Sequence, residues 1–188
     1  GPLYVPEHER ARLEAFSSRP TCEYLGELER LALNGSAWAQ GTLALHHLRG
    51  AKGRDGGVAA ALNVTQRVSR GGDPWAQYIR GWAFMVAGDQ RSAMELMVSA
   101  GAQRQFPPAL LDLSALAFQG IGVAAPDTAA ALSLLRDARA AGHKLWLARW
   151  VSFASTGRLG VISKLAARLV APIAFVYYGY HLWRDPYS

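Results

Sequence analysis

The tripeptide Trp-Ala-Gln occurs twice, at 38–40 and at 75–77. Self-similarity at a period of tens of residues constrains a chain more tightly than its composition, because it points to stacked copies of one supersecondary unit. Each copy opens an Ala- and Leu-rich stretch with little strand-type alternation, which reads as helix. Each stretch ends near a glycine (Gly50, Gly88), an aspartate follows (Asp55, Asp89), and a second helix carries Ala60 or Ala93 before closing at Gly71 or Gly101. A third unit runs from Ala109 through Gly120, Asp127, Ala131 and Ala138 to Gly142. "TCEYLGELERLALNG", ending at Gly35, has the form of half a unit placed before them. The grammar is physical: glycine ends a helix in the left-handed conformation, aspartate caps the next, and alanines let two helix axes approach. One hairpin cannot bury its apolar face alone, so neighbours stack. The expected fold is all-α, an α-solenoid of about three antiparallel helix hairpins. Its organisation is expected as 1–36 (N-terminal helix or half repeat), 37–144 (three hairpins) and 145–188 (C-terminal helices).

These residues carry a resemblance. In the second unit Gly81, Phe84, Gly88, Ala93, Met97 and Ala100 follow the small, large, small, small, large, small signature of tetratricopeptide repeats. The third unit, "ALLDLSALAFQGIGVAAPDTAAALSLLRDARAAG", resembles the related SEL-one-like repeats, with Pro126 where that family usually has its aspartate. The first is a weaker version, its turn bracketed by Gly50 and Gly53. The resemblance covers roughly residues 20–145. It implies a protein-binding module whose first helices line a concave groove. On the family spacing that groove takes Trp38, Leu45, Leu48 and Arg49, then Trp75, Tyr78, Trp82 and Met85, then Leu111, Ala115 and Phe118. Exposed apolar strips mark interaction sites, and Trp, Tyr and Arg dominate binding energy at interfaces. The other reading is that these aromatics fill the core between hairpins, since large aromatics are mostly buried.

"FQGIGVAAP" holds Gly120-x-Gly122-x-x-Ala125, a form of the dinucleotide fingerprint. That chemistry needs a strand before the first glycine and a helix opening at the loop. Here the preceding "ALLDLSALAF" is helical in pattern, Pro126 falls where the phosphate-binding helix would run, and Asp137 comes in mid-helix. The loop is expected to be a turn. His46 and His47 are adjacent and point about 100° apart on a helix, too far to share one ion. Cys22 is the only cysteine, and no Gly-x-Ser-x-Gly occurs. No catalytic residue, metal or cofactor is expected, and the chain is read as a non-enzyme.

After Gly142, "HKLWLARWVSFAS" reads as one more helix ending near Gly157. Residues 160–183 are the most apolar stretch, with Ile162, Leu165, Leu169, Ile173, Val176, Tyr177 and Tyr180 on one side and Lys164 and Arg168 on the other. Fifteen residues separate Arg168 from Arg184, short of the ~20 a membrane span needs, and Pro172 is expected to interrupt the helix. This segment is expected either to cap the last repeat or to contact a membrane or partner. Charged residues are only 18% of the chain, while the net charge is +6 with no run of five cations. The opening "GP" has the look of a protease scar, and "GPLYVPEHER" lacks the basic and apolar regions expected of a signal peptide. The expected function is a protein–protein adaptor in a bacterial membrane-associated or envelope complex, with another protein or peptide as partner and no nucleic acid. The alternatives are an accessory protein or enzyme of envelope polymer or exopolysaccharide metabolism, and a basic nucleic-acid-binding helical protein.

Overall fold

The computed structural model describes residues 21–50, 55–67, 72–103 and 106–184. The turn glycines Gly53 and Gly71, and the segment 1–20, lie outside the described residues. Among the described residues every regular element is helical. The helices are α1 (Thr21–Leu33), α2 (Ala37–Gly50), α3 (Asp55–Val64), α4 (Pro74–Ala87), α5 (Gln90–Ala102), α6 (Pro107–Gln119), α7 (Thr128–Ala140), α8 (Trp146–Ser155) and α9 (Val161–Arg184). Within each of two stretches, α1 to α5 and α6 to α9, consecutive helices pack on one another, and α2 also packs on α4, and α6 on α8. The chain divides into two compact units, with the boundary after Gln103. That boundary falls within the 37–144 stretch read from sequence as three successive hairpins.

Several starts and stops follow the expected local chemistry, but Gly101 does not close its helix: α5 runs to Ala102 and ends with Gln103 in an extended conformation. The Asp73, Asp89 and Asp127 carboxylates accept from the N–H groups of Ala76 (2.8 Å), Ser92 (3.0 Å) and Ala130 (2.8 Å). Each cap satisfies one of the donors a helix start leaves orphaned, worth about 1 kcal/mol. One closure recurs at helix ends. The residue after a left-handed glycine donates back five positions: Ser36 to Leu31 O, Asp89 to Phe84 O, Ile121 to Leu116 O and His143 to Ala138 O, at 2.9–3.1 Å. Left-handed backbone costs an L side chain steric energy that glycine avoids. The fingerprint-like loop is one of these closures: Gly120 (φ 78°) follows helix α6, and Asp127 caps α7.

The repeated tripeptide has a structural meaning. Ala39 and Ala76 are fully buried, and Gln40 and Gln77 are buried polar side chains. Gln40 Nε2 donates to Ala32 O at the end of α1 (3.2 Å), and Gln77 Oε1 accepts from Gln103 Nε2 beyond α5 (3.0 Å). In both copies the glutamine therefore ties its helix to another segment through a buried hydrogen bond. Buried polar groups cost energy unless bonded in this way. The small residues set helix spacing. A Cβ at Gly41 would stand 2.8 Å from Ala76 Cα, and one at Gly81 would meet Met97 Cγ at 2.9 Å and Ala93 O at 3.2 Å. The signature residues Gly81, Ala93, Met97 and Ala100 are all buried between α4 and α5.

Pro172 lies inside α9 and does not end it. It removes the N–H that would bond the Arg168 carbonyl. Both residues are exposed, so water can take that carbonyl. The large apolar residues of α9 do not form its packed face. Ala167 and Ala174 are the buried positions, while Ile162, Leu165, Leu169, Ile173 and Val176 are 55–84% exposed.

Gly41→Val should lower the melting temperature through overpacking of about 1–3 kcal/mol against the α4 backbone. Gly26 lies in α1 with open space where a methyl group would stand, so Gly26→Ala should stabilise by about 0.5–1 kcal/mol. Thermal unfolding followed by circular dichroism checks both. Equal shifts in the same direction would contradict the close-crossing geometry.

Candidate interaction surfaces

Most of the residues expected in the groove fall in the first unit. At about 100° per residue, Trp75, Tyr78, Trp82 and Met85 occupy one sector of α4, and all four are half-buried. The buried Ala76, Ile79 and Ala83 lie on other sides of the same helix. Trp38, Thr42, Leu45 and Arg49 share a sector of α2, with Arg49 exposed and the others half-buried. The two helices pack directly. Trp75 Nε1 donates to Thr42 Oγ1 (3.1 Å), and Thr42 donates to Trp38 O (3.0 Å). The two aromatic rows are thus joined by Thr42, which sequence reading passed over because a lone threonine inside a helix has no distinguishing pattern. Trp75 and Tyr78 have ring centroids 6.1 Å apart. Together with Leu45 and Leu48 they pack on a core of Ala44, Ala61, Ile79 and Ala83. Trp38 packs on a separate core of Leu28, Leu31, Ala32, Ala39 and Leu43. Trp38, Trp75 and Tyr78 therefore pack against these cores while remaining half-buried.

Phe118 is placed differently. Expected at the far edge of the groove, it is only 4% exposed, as are its neighbours Leu111 (5%) and Ala115 (9%). Its ring stacks on Phe153 of α8 with centroids 4.2 Å apart and planes 5° from parallel. Arg158 lies 5.3 Å from the Phe118 centroid and donates to the Phe118 carbonyl (2.8 Å). The physical reason is that α6 packs on both α7 and α8, which leaves little of its surface open. Phe118 is a core residue of the second unit.

Arg80 is another residue whose role is hidden in sequence. It reads as one of several scattered surface arginines. Its Nη1 instead donates to Leu62 O (2.9 Å) and Thr65 Oγ1 (3.2 Å), and its guanidinium lies 5.0 Å from the Phe84 centroid. It thereby anchors the end of α3 to α4. In the second unit Arg149 pairs with Asp112 (3.2 Å), joining α8 to α6. His143 stands close to this pair, in the turn before α8, and its Nδ1 accepts from Leu145 N–H (3.1 Å). Burial holds His143 below the ordinary histidine value, with Asp112 opposing the shift and Arg149 adding to it. His46, edge-on to Tyr24 at 5.9 Å, is also lowered, first by burial and then by Arg49 and His47.

Among the described residues no group of three or more His, Cys, Asp or Glu is placed to hold a metal ion, and no helix is long and apolar enough to cross a membrane. The second unit contains an open cleft of about 420 Å³ lined by Leu132, Leu135, Arg136, Arg139, Trp146, Leu147, Trp150 and Val170. Comparisons with protein-family models, curated proteins and solved structures find no match to this chain.

The two lowered histidines predict a pH dependence. The unfolded chain takes up their protons near the ordinary value of about 6.5, and the folded chain only at lower pH. Their contribution to stability is complete above about 6.5 and falls as the pH drops through that value towards the lowered folded ones. Melting should therefore be earlier at about pH 5.5 than at about pH 7.5. His143→Asn, which keeps an acceptor for Leu145 N–H, should flatten that dependence. An unchanged pH slope in the variant would remove His143 from the account.

Proposed function

We propose that this chain is a non-enzymatic helical-repeat adaptor that binds another protein or peptide, with the first unit supplying the contact. The observation that supports it is the half-exposed sector of Trp75, Tyr78, Trp82 and Met85 on α4, set beside Trp38 and Arg49 of α2. Aromatic rings anchored on one side and open on the other bind at low entropic cost, because little rotamer freedom remains to be lost. Arg49 adds a charged group at the edge, a residue type enriched at interface hot spots. The hairpin reading, with its tetratricopeptide and SEL-one-like resemblance, belongs to the same proposal. It is supported by the recurrent glycine closures, the aspartate caps and the small residues at the α4–α5 crossing.

The test is binding after truncation of the C-terminal end of the row. Trp82→Ala with Met85→Ala should cut capture of partners by the purified chain at least ten-fold, which corresponds to about 1.4 kcal/mol. Circular dichroism should show helix content unchanged. Trp75 is less suitable alone, because its indole also bonds Thr42. Recovery of the same partners at the same yield by wild type and double variant would sink the groove as the binding surface.

A further inference from the structure

The second unit carries a surface that the groove leaves unexplained. Ile162, Leu165, Leu169, Ile173 and Val176 are all exposed. At about 100° per residue they form one stripe about 80° wide along α9, pointing away from Ala167 and Ala174. A contiguous apolar strip of this kind marks an interaction site. Both edges of the stripe lead to cations. Arg168 lies about 60° from one edge, followed by Lys164, and both are exposed. Val170 lies about 60° beyond the other edge, and there it borders the cleft walled by Trp146 and Trp150 with Arg136 and Arg139. The Arg139 guanidinium sits 4.5 Å from the Trp146 ring centroid.

The charge pattern singles out the occupant. Between Asp137 and Asp185 the chain has seven Lys or Arg and no Asp or Glu. Of the acids before this stretch, Asp112 pairs with Arg149 and Asp127 caps α7. A second copy seated on the same stripe would bring cations against cations. A surface that is apolar within and anionic at its boundary matches both features. No described helix is long and apolar enough to cross a membrane, so α9 can lie on a bilayer but not span it. Amphipathic helices bind in the headgroup plane through buried apolar side chains plus attraction to anionic lipid. Basic groups near such a surface add to it in a salt-dependent way. Tyr177, exposed towards the end of α9, is of a residue type enriched at membrane–water interfaces.

We infer that α9, with the Arg136–Arg139 side of the cleft, is a peripheral docking surface for an anionic phospholipid bilayer. The apolar stripe enters the headgroup boundary, and Lys164, Arg168, Arg136 and Arg139 meet lipid phosphates on either side. This inference is independent of the groove in the first unit.

Co-sedimentation of the full chain with vesicles tests it. Binding is expected to phosphatidylcholine vesicles in which a third of the lipid is phosphatidylglycerol. It should be much weaker to phosphatidylcholine alone and should fall steeply with added salt. Leu169→Glu with Ile173→Glu, both exposed positions, should abolish binding with helix content unchanged. Lys164→Ala with Arg168→Ala should weaken it roughly five-fold per cation removed, and Arg136→Ala with Arg139→Ala likewise. Three outcomes would overturn the inference: no binding to either vesicle, equal binding to both, or a lipid-free dimer that Leu169→Glu with Ile173→Glu dissociates. The last would assign the stripe to a second copy. Full lipid binding by Trp82→Ala with Met85→Ala would leave this inference standing even if the groove fails.

Discussion

The first unit depends on how closely α2 approaches α4. At the crossing, Gly41 faces the backbone of Ala76, with no room for a methyl group between them. Any larger residue would push the axes apart. Trp75 would then lose its bond to Thr42, and Leu45 and Leu48 would lose their shared contact with Trp75 and Tyr78. The same solution recurs at the α4–α5 crossing, where Gly81 meets Ala93 and Met97. Helices held this close gain dispersion contacts along their length, and the large side chains are displaced to the flanks of the contact. That displacement is why aromatics gather in a sector of α4 and are neither fully buried nor fully exposed.

Much of this is legible in the sequence. The recurrence of Trp-Ala-Gln locates equivalent helix starts. The glycine–aspartate punctuation places Gly88, Gly120 and Gly142 at helix ends and Asp89 and Asp127 at helix starts. Those signals are local, since a left-handed residue or a capping carboxylate acts within a few positions of itself. The reading of "FQGIGVAAP" as a turn rests on the same local reasoning, and the helix before Gly120 agrees with it. What the sequence does not reveal is which segment covers which. Phe118 occupies the position that family spacing assigns to an open groove, yet Phe153, thirty-five residues on, lies flat against it. No pattern within α6 announces that contact. Arg80 is a similar case, because its partners on α3 become visible only once two helices are in contact.

The glutamines of the repeated tripeptide show how one sequence feature serves two ends. A polar side chain at a buried helix position reads as an error or as a site. Here Gln40 and Gln77 each commit an amide group to another segment of the same unit. Such bonds add little net stability, yet leaving either partner unsatisfied would cost about 1–3 kcal/mol. They act by penalising any register in which the helices slide past each other. The apolar contacts around them, mostly alanine and leucine, would tolerate such a slide far better. Specificity of stacking thus comes from a few polar links, and attraction from the alanine and leucine surface.

Helix α9 shows where periodicity alone misleads. Its sequence has two faces that could be buried: a stripe of Ile, Leu and Val, and a stripe of small residues that includes Ala167 and Ala174. Hydrophobicity alone would favour the first as the packed face. The second is the face that packs, because alanines allow close approach to α8 whereas a branched stripe would hold the axes apart. The large residues are thereby turned outward, at a cost in exposed apolar area that a soluble surface rarely carries over so long a run. Pro172 fits this arrangement, since it leaves the Arg168 carbonyl without its helical donor on the exposed side. Arg168 stands about 60° beyond one edge of the stripe with Lys164 further round the helix, and Arg136 and Arg139 line the cleft on the other side. A face that is apolar along its centre and positive at its margins is matched to a boundary between an apolar and an anionic phase, and that match gives the outward stripe of α9 a physical rationale.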